Sequence, residues 1–279
     1  LMQVNAANFS YKDYRSANRL KKAYKAFQTT IFRRALNTRI AGINALGEWH
    51  ARRLRQQLQL GQEYPILVVP DGADLSDAPI DRGEARLRLG LAQDDVLFLA
   101  FGNFRRDKDY PTLFSALAGV KSTRIKLMLV GHLAEYSQEE LDGLIDAADV
   151  RQKIAVMHTQ FASPQQVREF FSACDVLILP YGRLYTDGSG PLRKEAATYA
   201  RAVLASDVAE MGDLLRVHNL GKVYPAGDPA ALAVAMDEFA SLSPTIRDSW
   251  GQNCRNLGAI NSWTAMAEKF SAFFNGSKA

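Results

Sequence analysis

Between residues 65 and 242 the chain keeps one rhythm, and that rhythm limits its fold more than any other feature. The series begins at "PILVVPDGADL" and continues with the apolar runs "DVLFLAFGN", "IKLMLVGHL", "KIAVMHTQF", "DVLILPY", "RAVLASDV" and "LGKVYPA". Between and after them come the helix-patterned segments "YPTLFSALAGV", "SQEELDGLIDAAD", "SPQQVREFFSAC", "SGPLRKEAATYA", "EMGDLLRV" and "DPAALAVAMDEFASL". A strand that is apolar at successive positions has both faces covered, and a parallel sheet with helices on either side is what covers them. Ser163 before Pro164 and Asp228 before Pro229 read as helix starts, each cap followed by a proline at the first helical position. The predicted fold is therefore α/β, a doubly wound parallel sheet with right-handed crossovers.

In such a sheet ligands bind beyond the carboxyl ends of the strands. That rule places "FGNFRRDK", "VGHL", "HTQF", "PYGRLYTDGSG" and "ASDVAE" on one rim. Gly188 and Gly190 stand between a strand and a helix whose first turn is Pro191, Leu192 and Arg193. Either they only satisfy turn dihedrals, or they let the backbone approach a phosphate at the helix N-terminus. Arg105, Arg106 and Lys108 are ordinary surface cations or, on the same rim, partners for a diphosphate that needs several donors. Glu195 is expected one and a half turns into the helix, its carboxylate looking back toward the rim, where acceptor-only oxygens suit a vicinal diol. Asp187 either meets sugar hydroxyls or caps the turn. His50, His132, His158 and His218 lack metal-ligand spacing, and neither a nucleophile elbow nor a Walker lysine is present. Ligand phosphate is thus expected to be neutralised by Arg, Lys and backbone amides, with no metal and no cofactor.

The front of the chain has a different texture. Residues 11 to 35 read as a helix, with Leu20, Tyr24, Phe27 and Ile31 recurring at three- and four-residue steps. "IAGINAL" and a second basic helix, "GEWHARRLRQQLQL", follow, and "NSWTAMAEKFSAFF" near the end reads as an amphipathic helix. Through residue 60 there are twelve Lys and Arg against Asp13 and Glu48, a balance of +10 that leaves −6 for the rest of a chain whose net charge is +4. Such a front is a solvated face or a surface for anionic lipid or a polyanion. Nucleic acid is not expected, because aromatics do not interleave with the basic residues and no DNA-binding spacing occurs. Cys174 and Cys254 stand far apart without paired spacing, which suits a reduced setting. No signal-peptide pattern and no run of about 18 apolar residues is found, so a cytoplasmic location is expected, peripheral on the inner face of the plasma membrane if the basic front meets lipid.

Taken in order, "VVPDGADL", "FGNFRRDKDYPTLFSAL", "LMLVGH", "FFSACDVLILPY", "DGSGPLRKEAATYARAVLASDVAEMGDLL" and "GKVYPAGDPAALAVAM" resemble the nucleotide-binding domain of retaining GT-B glycosyltransferases, the glycogen-synthase-like superfamily. The resemblance runs from about Val68 to Ala240. That family carries two carboxylates with seven residues between them, the spacing of Asp187 and Glu195. It implies a Rossmann-like nucleotide-binding domain over 67–243 and an incomplete first domain over 1–66, helical and basic. Helices over 244–279 are implied to cross back to the first domain. It further implies that Glu195 holds the ribose of a nucleotide-sugar, that Arg105 and Lys108 neutralise its phosphates, and that Asp187 meets the transferred sugar. Gly102, Asn103, Gly131, Tyr181, Gly188, Ser189, Gly190, Pro191 and Leu192 complete the donor-binding set on the same ground. Two positions depart from the family: the first carboxylate is the shorter Asp187, and Asn103 stands where an arginine is frequent.

The activity implied is hexosyl transfer with retention from a UDP-, GDP- or ADP-sugar to a hydroxyl of a glycan, a lipid-linked glycan or a small molecule, as in cell-surface polysaccharide biosynthesis. The competing reading is a non-catalytic subunit that binds the nucleotide-sugar and needs a separate acceptor-binding chain. A nucleotide-sugar epimerase would need acids and histidines around the sugar that the sequence does not provide.

Overall fold

The computed structural model describes residues 2–4 and 19–276, so positions 11 to 18 of the first predicted helix lie outside the described residues. Two compact units divide the chain. The first comprises 1–71, 186–188 and 263–279, and the second 72–185 and 189–262.

In the first unit, β1 (Met2–Val4), β2 (Ile43–Ala45) and β3 (Ile66–Val68) form a parallel sheet in that order. Helix α1 (Arg19–Arg39) and helix α2 (Glu48–Leu58) supply Leu36, Leu54 and Leu58 to a core shared with Ile43 and Ala45. The Tyr64 hydroxyl donates to the carbonyls of Ile40 (3.1 Å) and Leu36 (3.4 Å), tying down the α1 C-terminus. The predicted period of α1 is present, but Leu20, Tyr24, Phe27 and Ile31 are exposed, and the face that packs carries Phe32 and Leu36 instead.

The second unit opens with α3 (Arg82–Arg88), followed by β4 (Val96–Phe101), α4 (Tyr110–Gly119), β5 (Ile125–Val130), α5 (Gln138–Ala147), β6 (Ile154–His158), α6 (Pro164–Ala173) and β7 (Val176–Leu179). Two four-residue turns, α7 (Gly190–Arg193) and α8 (Glu195–Thr198), lead to β8 (Ala202–Ser206), α9 (Met211–His218), β9 (Gly221–Tyr224), α10 (Pro229–Ser241) and α11 (Pro244–Ile260). The last helix, α12 (Trp263–Gly276), counts with the first unit.

All six strands β4 to β9 are parallel, in the order β6-β5-β4-β7-β8-β9. Alternate residues serve two cores. Val96, Phe98 and Ala100 meet Leu113 and Phe114 of α4, Leu141 of α5 and Phe239 of α10 on one face. Leu97 and Leu99 meet Phe171 of α6, Met211 and Leu215 of α9 and Leu257 of α11 on the other. Each such fully buried side chain contributes about 1.5–3 kcal/mol of transfer free energy. The predicted caps are in place: Ser163 Oγ accepts from Gln166 N (3.3 Å) and Asp228 Oδ1 from Ala231 N (2.9 Å). Cys174 and Cys254 are buried free thiols, both pushed up to about 12 by burial.

Helix α3 has no counterpart among the predicted elements. Its anchor is Arg86, which is fully buried and donates to the carbonyls of Ala173 (3.0 Å), Ala92 (3.2 Å), Gln93 (2.6 Å) and Asp95 (2.9 Å) and to Asp175 Oδ2 (2.8 Å). Asp175 also accepts from Leu97 N (2.7 Å) and pairs with Arg82 (2.6 Å). One ion pair thereby fixes where β4 and β7 begin.

Candidate functional site

The chain runs outward from β4 through β5 to β6 and then returns to place β7 beside β4. Where strand order reverses in this way, ligands of such sheets bind outside the carboxyl ends of the two adjoining strands. The loops after β4 and β7 are therefore the ones to build from.

Gly102 follows β4 with φ +95°, a conformation that disfavours any side chain. Gly131 follows β5, and a Cβ there would lie 2.2 Å from the Gly102 carbonyl oxygen, so the two strand ends meet backbone to backbone. Gly102 N donates to Val130 O (2.9 Å), and beyond the bend Phe104 N donates to His132 O (2.9 Å). The exposed Asn103 lies between those two ladder bonds.

Lys108 folds back under this bend. Its Nζ donates to Phe101 O at 2.7 Å and lies 3.3 Å from where a Gly102 side chain would begin. Only 4% of Lys108 is exposed, and that burial, reinforced by Arg105 and partly offset by Asp107, pushes the ammonium down to about 7. The β4 loop is zipped to the β7 loop by an antiparallel bridge between Lys108 and Tyr181. Asp109 N donates to Pro180 O (2.6 Å) and Gly182 N to Asp107 O (2.8 Å).

Arg105 is half-buried and ion-paired with Asp107, with Nε to Oδ1 at 3.2 Å. Burial works against its charge, but Asp107, with Tyr185 and Tyr181, outweighs it and holds the guanidinium above its ordinary value. Arg106, expected beside it, turns to Glu140 and lies 4.1 Å over the Tyr136 ring on the α5 side. Its rim role is corrected accordingly.

Tyr181 is buried, stacks on Tyr185 with ring centroids 3.8 Å apart, and shares a side-chain hydrogen bond with Ser189. Burial raises its phenol above the ordinary value. Ser189 caps α7 by accepting from Leu192 N (3.4 Å), and Pro191 Cγ lies 3.8 Å from the side-chain position of Gly102. Leu192 points into the core.

The single helix predicted from "SGPLRKEAATYA" is two turns, broken at Lys194 with ψ −77°. Glu195 is therefore the first residue of α8, half-buried, and not a position one and a half turns into a helix. With four residues in α7, dipole stabilisation of an anion is correspondingly small, and the donors that matter are individual N–H groups and cations.

The second unit thus gathers Gly102, Asn103, Arg105, Lys108, Gly131, Tyr181, Ser189, Gly190, Pro191, Leu192 and Glu195 on or beside two joined loops. Asp187 and Gly188 are half-buried and count with the first unit; they are not among the gathered residues. Among the described residues no three of His, Cys, Asp and Glu come together to hold a metal ion.

One pair escaped the sequence reading. Arg193, 8% exposed, binds Glu210, 6% exposed, through Nη2 to Oε1 at 2.6 Å and Nε to Oε1 at 3.2 Å. It braces α7 against the residue that caps α9. The two lie seventeen residues apart across a strand, a separation that no local periodicity reports.

The model of the family described as "Glycosyl transferases group 1" matches residues 81–257. D-inositol 3-phosphate glycosyltransferase of Streptomyces coelicolor is 28% identical over 203 residues, covering 68% of this chain and 43% of that protein. The same-named protein of Streptomyces scabiei is 29% identical over 222 residues, covering 74% of this chain and 48% of the relative. The chain thus spans less than half the length of these curated relatives. Among solved structures, sucrose-phosphate synthase from Thermosynechococcus elongatus superposes with a TM-score of 0.80 at 19% identity, covering 99% of this chain and 67% of that one. Anabaena Alr3699/HepE, solved in complex with UDP and glucose, gives 0.78 at 15% identity, covering 98% and 71%. These neighbours are GT-B glycosyltransferases, and their fold is the fold of this chain.

Proposed function

Because the chain belongs to the glycosyl transferases group 1 family, we propose that it binds a nucleoside-diphosphate hexose at the joined β4 and β7 loops and takes part in transferring that sugar, with retention, to a hydroxyl of a glycan or lipid-linked acceptor. The observation that carries the reading is the convergence of Lys108 Nζ, Gly102 and Pro191 at the point where strand order reverses. A buried lysine poised near neutrality beside bare backbone is matched to a dense anion, which restores the charge that burial suppresses. The solved HepE complexes with UDP and with UDP-glucose support a donor of this class.

In the transfer, the bond from the anomeric carbon to the diphosphate oxygen breaks, and the diphosphate leaves with the electron pair. The acceptor oxygen bonds the same carbon on the same face, and its proton passes to the departing phosphate oxygen. Lys108 and Arg105 stabilise the charge that develops on the leaving group, an electrostatic contribution of about 3–4 kcal/mol per donor in comparable sites. Glu195 accepts hydroxyl hydrogen bonds from the ribose, and the backbone of Ser189 and Gly190 meets the diphosphate.

Calorimetric titration of UDP-, GDP- and ADP-sugars into the protein and its Glu195→Ala variant tests this. Loss of hydrogen bonds to a carboxylate of about 1.5–3 kcal/mol lowers affinity for one of the donors by roughly ten- to hundredfold. Equal affinity of the two proteins for every donor overturns the assignment.

A further inference from the structure

Glu195 stands on a helix too short to hold itself. The four residues of α8 fall far below the length at which a helix is stable alone, so its position is set by what packs against it. Helix α11 is its main neighbour. Arg255, half-buried on α11, spreads its guanidinium over two backbone carbonyls. Nη1 donates to Thr198 O (2.8 Å), the last carbonyl of α8 and an end group that its own helix cannot serve, and Nη2 donates to Leu75 O (3.1 Å). The backbones also meet closely. A Cβ at Gly258 would lie 2.6 Å from Ala197 Cβ and 3.1 Å from Ala73 Cβ, and one at Gly251 would lie 2.1 Å from Ala200 O. A methyl group at either place would force α11 and α8 apart.

The segment 72–80 is held in the same joint. Ala73 N donates to Asn261 O (3.2 Å), just past α11, and the Tyr199 hydroxyl, one residue past α8, donates to Asp77 Oδ2 (2.7 Å). The Tyr199 ring stacks on Phe171 with centroids 5.3 Å apart. Burial, the bond to Asp77 and the charge of Glu195 push its phenol above the ordinary value, so Tyr199 and the carboxylate four residues before it lie close enough to act on one another. A carboxylate that accepts from two adjacent hydroxyls needs direction as well as distance, and small rotations of the element that carries it are felt at the ligand.

We infer that Arg255, together with Tyr199, is a positioning residue for the donor: through α8 it sets the angle at which the Glu195 carboxylate meets the ribose diol, without itself touching the ligand. The inference rests on the ribose role proposed above for Glu195.

Titration calorimetry with UDP, GDP and ADP and with their 2′-deoxy forms separates positioning from stability. The deoxy compounds keep the base and the diphosphate and lack one hydroxyl of the diol, so the ratio of the two affinities reports the grip of the carboxylate. The protein should favour the ribonucleotide of the base it accepts by roughly ten- to hundredfold, and Glu195→Ala should bring the ratio close to one. Arg255→Met removes the fork but keeps an apolar stem, and the ratio should fall about fivefold or more. Arg255→Lys, with a single ammonium in place of the fork, should recover part of it. Tyr199→Phe removes one hydroxyl and should lower the ratio by about two- to fivefold. A lower melting midpoint with an unchanged ratio in these variants means that the joint only stabilises the fold, and it overturns the inference while leaving the donor site intact. If Arg255→Met does not fold, Tyr199→Phe and Arg255→Lys decide by the same ratio. An unchanged ratio in Glu195→Ala, or no binding of any of the three ribonucleotides, overturns the ribose role of Glu195 and the inference with it.

Discussion

Donor binding should consume a proton, and the amount should rise with pH. In the free protein the Lys108 ammonium is pushed down to about 7, so at pH 8 about nine molecules in ten carry it neutral. A phosphate charge about 4 Å away contributes on the order of 4 kcal/mol at an effective dielectric of about 20, which lifts the group by about three pKa units, to about 10. Binding then takes up about 0.9 proton at pH 8, 0.5 at pH 7 and 0.1 at pH 6. The apparent dissociation constant rises about 50-fold between pH 7 and pH 9, because the lysine must be protonated against a falling proton concentration. UDP-glucose is the ligand of choice, since its diphosphate diester has no proton to exchange in this range. Titrations in buffers of different ionisation enthalpy give the proton count directly, and Lys108→Ala should abolish it. Absence of uptake at pH 8, or equal uptake by Lys108→Ala, refutes the placement of the diphosphate against Nζ. The same group sets a sign for stability. Its folded value lies below the unfolded value of about 10.4, so the unfolded state binds more protons between pH 7 and 10, and stability relative to Lys108→Met rises by about 1 kcal/mol per pH unit across that window.

Two further outcomes concern the frame. Arg86→Ala should cost about 3–5 kcal/mol in urea unfolding, because it removes one partner of the buried Asp175, leaving it Arg82 and Leu97 N, and strips four carbonyls of their donor, and Arg86→Lys should restore little of the loss since one ammonium cannot reach the carbonyls that the guanidinium serves. Gly131→Ala should cost about 1–3 kcal/mol in the same assay and weaken donor binding, since its methyl group would displace the Gly102 carbonyl; an unchanged midpoint would mean that the two strand ends are not in contact.

The six-stranded sheet was legible because β4, β5, β7 and β8 are buried on both faces and so write themselves as unbroken apolar runs. Helix α3 was not, since its anchor is an arginine, and a residue expected at the surface is here buried and bound to four carbonyls and a carboxylate. The rim loops could be placed from topology alone, which brought Gly102, Lys108 and Ser189 together correctly in outline. What the residues do there was hidden: the break at Lys194, the capture of Arg106 by Glu140 and the Arg193–Glu210 brace all depend on contacts far apart in the chain. In α1 the period was readable but its meaning was not, because periodicity identifies an apolar face without saying what lies against it.

The zip between the β4 and β7 loops bears on how a ligand is met. Fixing the backbone of one residue costs about 1–2 kcal/mol of conformational entropy, and a pair of free loops would lose that freedom upon capturing a ligand. Here the Lys108–Tyr181 bridge and the bonds from Asp109 to Pro180 and from Gly182 to Asp107 fix both loops during folding. The cradle is set before anything enters it, and a ligand that binds there does not have to order the two loops.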